Sequence, residues 1–193
     1  MKAIIAALAL CLMLFSGCCS LSAGGPPSIS EDGGKKHYEG SGYSFDYPKN
    51  LTSFFDESKD EASDSASMYE LLNLMGYTPI LLMDAEGSLI SVLIFIPQSE
   101  ESISKDNCNI EYITNTNPDN LKRFCPKDKT LVYKNASWHS FENSQGCLLE
   151  AIDKNSSEYI YIFAGSCSKK NFVSISSEPA NFLPIVSTIK CEG

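Results

Sequence analysis

Arginine, histidine and tryptophan are almost missing from this chain. It has one Arg (Arg123), two His (His37 and His139) and one Trp (Trp138) among 193 residues, with a net charge of −9. A nucleic-acid surface needs clustered Lys and Arg to neutralise phosphates, and none is here. Two histidines, and no C-x-x-C spacing among the cysteines after Cys19, leave no zinc set. No Gly-x-Ser-x-Gly elbow or phosphate loop occurs, so the common serine-hydrolase and nucleotide motifs are excluded. No apolar run reaches the roughly 20 residues that a spanning helix needs. No cofactor is expected.

What the chain does have is a marked beginning. Lys2 supplies a basic start, Ala3 to Phe15 an apolar core, and Ser16-Gly17 a small-residue end. That is the pattern of a secretory signal peptide over residues 1–17. Phe15-Ser16-Gly17-Cys18 resembles the prokaryotic lipobox, in which the Cys is diacylated and becomes the new N-terminus; Phe15 departs from the Leu preferred there. The resemblance implies lipid attachment at Cys18 and a place on the extracytoplasmic face of the cell membrane, or secretion if Cys18 is not lipidated. Two acyl chains give stable anchoring. With Lys2 removed, 14 basic against 24 acidic residues leave a mature charge of −10. Such a domain is repelled by anionic lipid, so membrane contact is expected through the anchor alone.

Residues 18–37 read as the lipidated Cys and a flexible Gly/Ser/Pro tether, and residues 38–193 as one domain. Gly42 to Pro48 alternates aromatic and polar residues, a short strand closed by Pro. The acidic run 56–64 lacks the Gly and alternating ligands of a calcium loop and reads as solvated. Ser67 and Glu70 form a capping box before the stripe Met68, Leu71, Leu72 and Met75, which predicts a helix ending at Gly76. Ile80–Met83 and Leu89–Ile96 are strands joined by a hairpin loop. The second is apolar on both faces, which calls for cover on both. Residues 100–116 read as irregular, and Asn117-Pro118 as the start of a short helix. Strands follow over Thr130–Lys134, with an extension to Phe141 left open, and over Gly146–Asp153, Glu158–Gly165 and Asn171–Ser176. A last helix, capped by Asn181, carries Phe182, Ile185, Val186 and Ile189 on one face.

An exported chain permits disulfides. Cys108 and Cys125 bracket the excursion between strands, and a bond between them would contribute about 3 kcal/mol. Cys167 with Cys191 is the second expected pair. If Asp153 faces Glu158, Cys147 lies opposite Ala164, away from the face of Cys167, and is expected to be a buried free thiol. A nucleophilic Cys147–His139 pair, or a carboxylate site, is the hydrolase alternative. Trp138 offers either a platform for sugar or partner, or a core side chain. Asn50, Asn135 and Asn155 open Asn-x-Ser/Thr triplets, possible glycosylation sites.

Gly42-Tyr43-Ser44-Phe45-Asp46-Tyr47-Pro48, together with the strand Tyr159–Gly165 and the helix that closes the chain, resembles PsbP-like domains over residues 39–190. That resemblance implies an α+β fold, an α/β/α sandwich of a mainly antiparallel sheet with flanking helices. It also implies a non-enzymatic accessory, assembly or binding role, with a protein partner. A structural envelope lipoprotein is the third possibility.

Overall fold

Two adjacent glycines start the first sheet. Gly33 and Gly34 both hold positive φ, 55° and 86°, as the two central residues of a type I′ hairpin turn require. They join strand β1 (Ser28–Asp32) to β2 (Lys35–Gly40). Both β1 and the start of β2 therefore lie inside residues 18–37, the stretch expected to be tether. The computed structural model describes residues 28–40, 42–53, 78–96, 103–116, 131–168, 170–177 and 179–191. Among these no helix is long and apolar enough to cross a membrane.

Strand β3 (Tyr43–Pro48) pairs with β2, and β11 (Lys190–Cys191) pairs with β3, giving a four-stranded antiparallel sheet in the order β1-β2-β3-β11. Its period-two pattern puts Tyr38, Tyr43, Phe45 and Tyr47 on one buried face. The second sheet is larger. It contains β4 (Thr52–Ser53), β5 (Thr78–Met83), β6 (Leu89–Ile96), β7 (Leu131–Ser140), β8 (Gln145–Asp153), β9 (Tyr159–Cys167) and β10 (Lys170–Ser176). These run β4-β5-β6-β10-β9-β8-β7, all antiparallel.

Strand β6 is covered on both faces, as its composition demands. Leu93 and Phe95 enter one core with Tyr38, Phe45, Phe163 and Phe172. Val92 and Ile94 enter another with Ile103, Ile113, Leu149 and Ile162. The first core is roofed by the small sheet and by helix α2 (Pro179–Val186), whose Phe182, Ile185 and Val186 are buried in it. Over the second core stands helix α1 (Ile110–Thr116).

The expected α/β/α sandwich is thus overturned. The described residues are mostly strand, in two antiparallel sheets with two short helices. Two-sided burial requires two covers, but it does not require them to be helical. Here alternating aromatics in β2 and β3 make one cover a second sheet. The helices expected from Ser67 and from Asn117 fall outside the described residues. Helix α1 forms instead within residues read as irregular. Asn109 caps it, its Oδ1 accepting from Tyr112 N–H at 2.8 Å. Helix α2 begins two residues ahead of Asn181, the expected cap, and holds Pro184 inside it.

Two glycines face each other across β8 and β9. Gly146 on β8 lies opposite Gly165 on β9, and Phe163 and Phe172 stack beside them at 5.8 Å between ring centroids. A Cβ on Gly146 would stand 2.5 Å from the Ala164 carbonyl oxygen and 2.6 Å from Gly165 Cα. Both are backbone atoms of a paired strand and have no room to retreat. Gly146→Ala is expected to destabilise the fold by about 1–3 kcal/mol, the cost of an overpacked core, read as a lower urea midpoint.

Tyr43 stacks on Phe95 across the two sheets at 3.9 Å, with the Lys170 ammonium 4.9 Å from its ring. Burial raises its hydroxyl pKa well above the ordinary value. The folded state thus favours the neutral phenol. That stabilisation is complete below the unfolded-state value of about 10 and is lost as pH climbs past it towards the folded value. Tyr43→Phe is expected to flatten the fall in stability above about pH 10, measured by urea titrations at a series of alkaline pH values.

Candidate functional site

Cross-strand register defines one continuous row over the large sheet. Ser53, Leu82, Ser91, Ser176, Tyr161, Glu150 and Asn135 lie opposite one another in turn, from β4 to β7. All point to the face that the small sheet roofs. At the β4–β10 end the row is buried. Ser91 Oγ is 3.4 Å from Ser174 Oγ, and Ser176 Oγ donates to the Ile90 carbonyl at 2.7 Å. At the β9–β7 end the row is open: Tyr161 and Glu150 are half-buried and Asn135 is exposed.

The next row outward holds Tyr159, Ile152 and Val132. Tyr159 is 47% exposed, the one large hydrophobic residue so exposed among those described. Two residues apart on one strand, Tyr159 and Tyr161 project from the same face. Their rings stack at 6.3 Å with 18° between planes. Burial, then the Glu150 carboxylate and then Tyr159, push the Tyr161 hydroxyl pKa up, which keeps that phenol neutral. A bulge between Tyr133 and Asn135 resets β7, so that Asn135 joins this face and not the opposite one. The result is a two-ring aromatic strip bordered by a carboxylate and a carboxamide.

His139 lies on the same face at the other end of β7, opposite Gly146. Its Nε2 is 3.0 Å from Ser137 Oγ, and its ring lies near Phe141 and Phe163. Cys147 is on the other face, opposite Trp138, and is bonded to Cys108 with 5.5 Å between Cα atoms. So the expected Cys108–Cys125 bond and the expected free thiol at Cys147 are both corrected. The hydrolase pair is also not assembled: Cys147 carries no nucleophile and points away from His139. The reason is register. Cys147 lies on the face of Leu149 and Ala151, and the chain leading into α1 crosses that face, which brings Cys108 within reach. Cys125 lies outside the described residues.

Cys167, at the end of β9, is bonded to Cys191 on β11, with 5.7 Å between Cα atoms. The opposition of Cys147 to Ala164 that the sequence suggests is the register observed. Trp138 is half-buried against the second core, its Nε1 donating to Ser140 Oγ at 3.1 Å. It stands on the opposite face from Tyr159 and is no part of the aromatic strip. His37 pairs with Asp46 across β2 and β3 at 2.7 Å. Asp46 N–H in turn donates to Thr188 Oγ1, which ties the small sheet to the end of α2. No three His, Cys, Asp or Glu side chains converge as a metal site among the described residues. Cys18 and the acidic run 56–64 lie outside them.

The tyrosine strip was open to sequence reading. Tyr159 and Tyr161 alternate with Ile160 and Ile162, which puts them on one face with Phe163 and Cys167. The burial of Phe163 against the exposure of Tyr159 depends on how far the small sheet reaches, which no local pattern encodes. No protein-family model matches this chain, and no curated protein matches it.

The two disulfides close loops of 39 and 24 residues in sequence separation. Loop entropy gives about 4 and about 3.5 kcal/mol respectively. A Cys108→Ala/Cys147→Ala chain is expected to lose about 2–4 kcal/mol in urea unfolding, and non-reducing peptide mapping of the parent to recover the 108–147 and 167–191 linked peptides.

Proposed function

We propose that the chain is an exported, lipid-anchored binding or assembly module, held at the extracytoplasmic face of the cell membrane through Cys18. It meets its partner with the open half of the large sheet. The observation that carries this reading is the Tyr159–Tyr161 strip: stacked, half in solvent, and apart from any nucleophile–base arrangement among the described residues. Tyrosines offer large apolar area at small rotamer cost and a hydroxyl at the rim, which is why they are enriched at protein interfaces. Glu150 and Asn135 supply the directional polar groups that fix orientation. The two disulfides support export, since such bonds persist in oxidising compartments.

The test is to capture the full chain from solubilised membranes, beside a Tyr159→Ser/Tyr161→Ser variant of unchanged stability. The parent is expected to retain a partner or ligand that the variant loses at least about tenfold, the effect of about 1.4 kcal/mol. Recovery of nothing above a denatured control would leave a structural envelope role in its place. Cys18→Ala is expected to move the chain from the membrane to the soluble fraction.

A further inference from the structure

Three triplets in the chain have the form that accepts an N-linked glycan: Asn50-Leu51-Thr52, Asn135-Ala136-Ser137 and Asn155-Ser156-Ser157. All three asparagines are exposed. An enzyme that glycosylates a folded chain must grip the asparagine and the hydroxyl two residues on together, so both have to stand clear of the fold. The structure separates the three on that requirement.

In the first triplet the middle residue is core. Leu51 is 5% exposed, its N–H donates to the Pro48 carbonyl and its carbonyl accepts from Lys36 Nζ at 3.1 Å. Thr52 belongs to β4, paired with Met83. The second triplet is woven into β7, each residue opposite a residue of β8, and Ser137 Oγ lies 3.0 Å from His139 Nε2. The third is the tip of the β8–β9 hairpin. Asn155, Ser156 and Ser157 are all exposed. The tip is held out by Asp153: its Oδ1 accepts from Asn155 N–H at 2.9 Å, and its carbonyl accepts from Ser157 N–H at 2.7 Å. The asparagine carboxamide and the serine hydroxyl are thereby both presented to solvent on a fixed turn.

We infer that Asn155 is the N-glycosylation site of the folded protein, an inference that rests on the export proposed above. The donor is an oligosaccharide linked to a lipid pyrophosphate. The Asn155 amide nitrogen forms a bond to the anomeric carbon, the bond from that carbon to the pyrophosphate oxygen breaks, and the lipid pyrophosphate leaves with the electron pair. The amide nitrogen loses one proton. The glycan then stands at the hairpin tip, four residues from Tyr159.

Intact mass of the full mature chain, purified from membranes of its source organism, tests this. The expected mass is the lipidated polypeptide with two disulfides plus one glycan, and peptide mapping should place that glycan on Asn155. Asn155→Gln removes it. So does Ser157→Gly, which deletes the hydroxyl while suiting the positive φ of 60° at that position. Asn50→Gln and Asn135→Gln leave it in place. A glycan that survives Asn155→Gln overturns the inference. A lipidated, disulfide-bonded chain with no glycan also overturns it but leaves export standing. A chain that keeps residues 1–17 and has no disulfide overturns both.

Discussion

One strand that is apolar on both faces sets the terms for everything around it. Strand β6 puts Leu93 and Phe95 to one side and Val92 and Ile94 to the other. A strand with a wet face would lose the burial of half these side chains, each worth about 1.5–3 kcal/mol. The sheet must therefore be roofed twice, and the rest of the chain supplies two unlike roofs. One is a four-stranded sheet with α2; the other contains α1. Each roof carries a cysteine bonded to the central sheet. Cys191 ties the small sheet to β9, and Cys108 ties the approach to α1 to β8. A covalent tie that limits the freedom of the unfolded chain adds to the apolar contact of each roof.

Legibility followed the range of the interaction. Alternation marked β3, continuous apolar runs marked β5 and β6, β-rich segments marked β8, β9 and β10, and the hairpin 154–157 set Cys147 opposite Ala164. These depend on neighbours within about ten residues. The partner of Cys108 did not emerge, because it depends on which segment crosses which face of the sheet. The small sheet was missed for a different reason. Its signal, two glycines between Asp32 and Lys35, sits in a stretch so rich in Gly, Ser and Pro that composition outweighed turn chemistry. The helical layers came with the resemblance to PsbP-like domains; two apolar faces on β6 call only for cover on both sides. Tyr38, Tyr43, Phe45 and Tyr47 are a reminder that an alternating aromatic strand can do the same.

The face of the large sheet also explains why one end became a core and the other an open surface. The residues of each cross-strand row are set by register, but the roof is only four strands wide and its last strand, β11, has two residues. Where the roof reaches, the rows hold Phe95 and Phe172 with Gly165 beside them. Where it stops, they hold Glu150, Asn135 and the two tyrosines, side chains that tolerate water at one end and apolar contact at the other. The change of composition along a single row, from buried serines to tyrosine and glutamate, marks the edge of the roof.

That boundary bears on what the domain can do. Catalysis requires groups that converge, and in an antiparallel sheet convergence needs side chains on one face from adjacent strands. Cys147 and His139 fail this by one residue of register: Cys147 pairs with Trp138, and His139 with Gly146. A shift of one position would bring them together, but it would also turn Leu149 and Ala151 out of the second core and break the bond to Cys108. The burial that makes the sheet stable is what keeps Cys147 and His139 apart. What the same register does bring together, in the open, is Tyr159 with Tyr161 and Glu150 with Asn135: two stacked rings beside a carboxylate and a carboxamide.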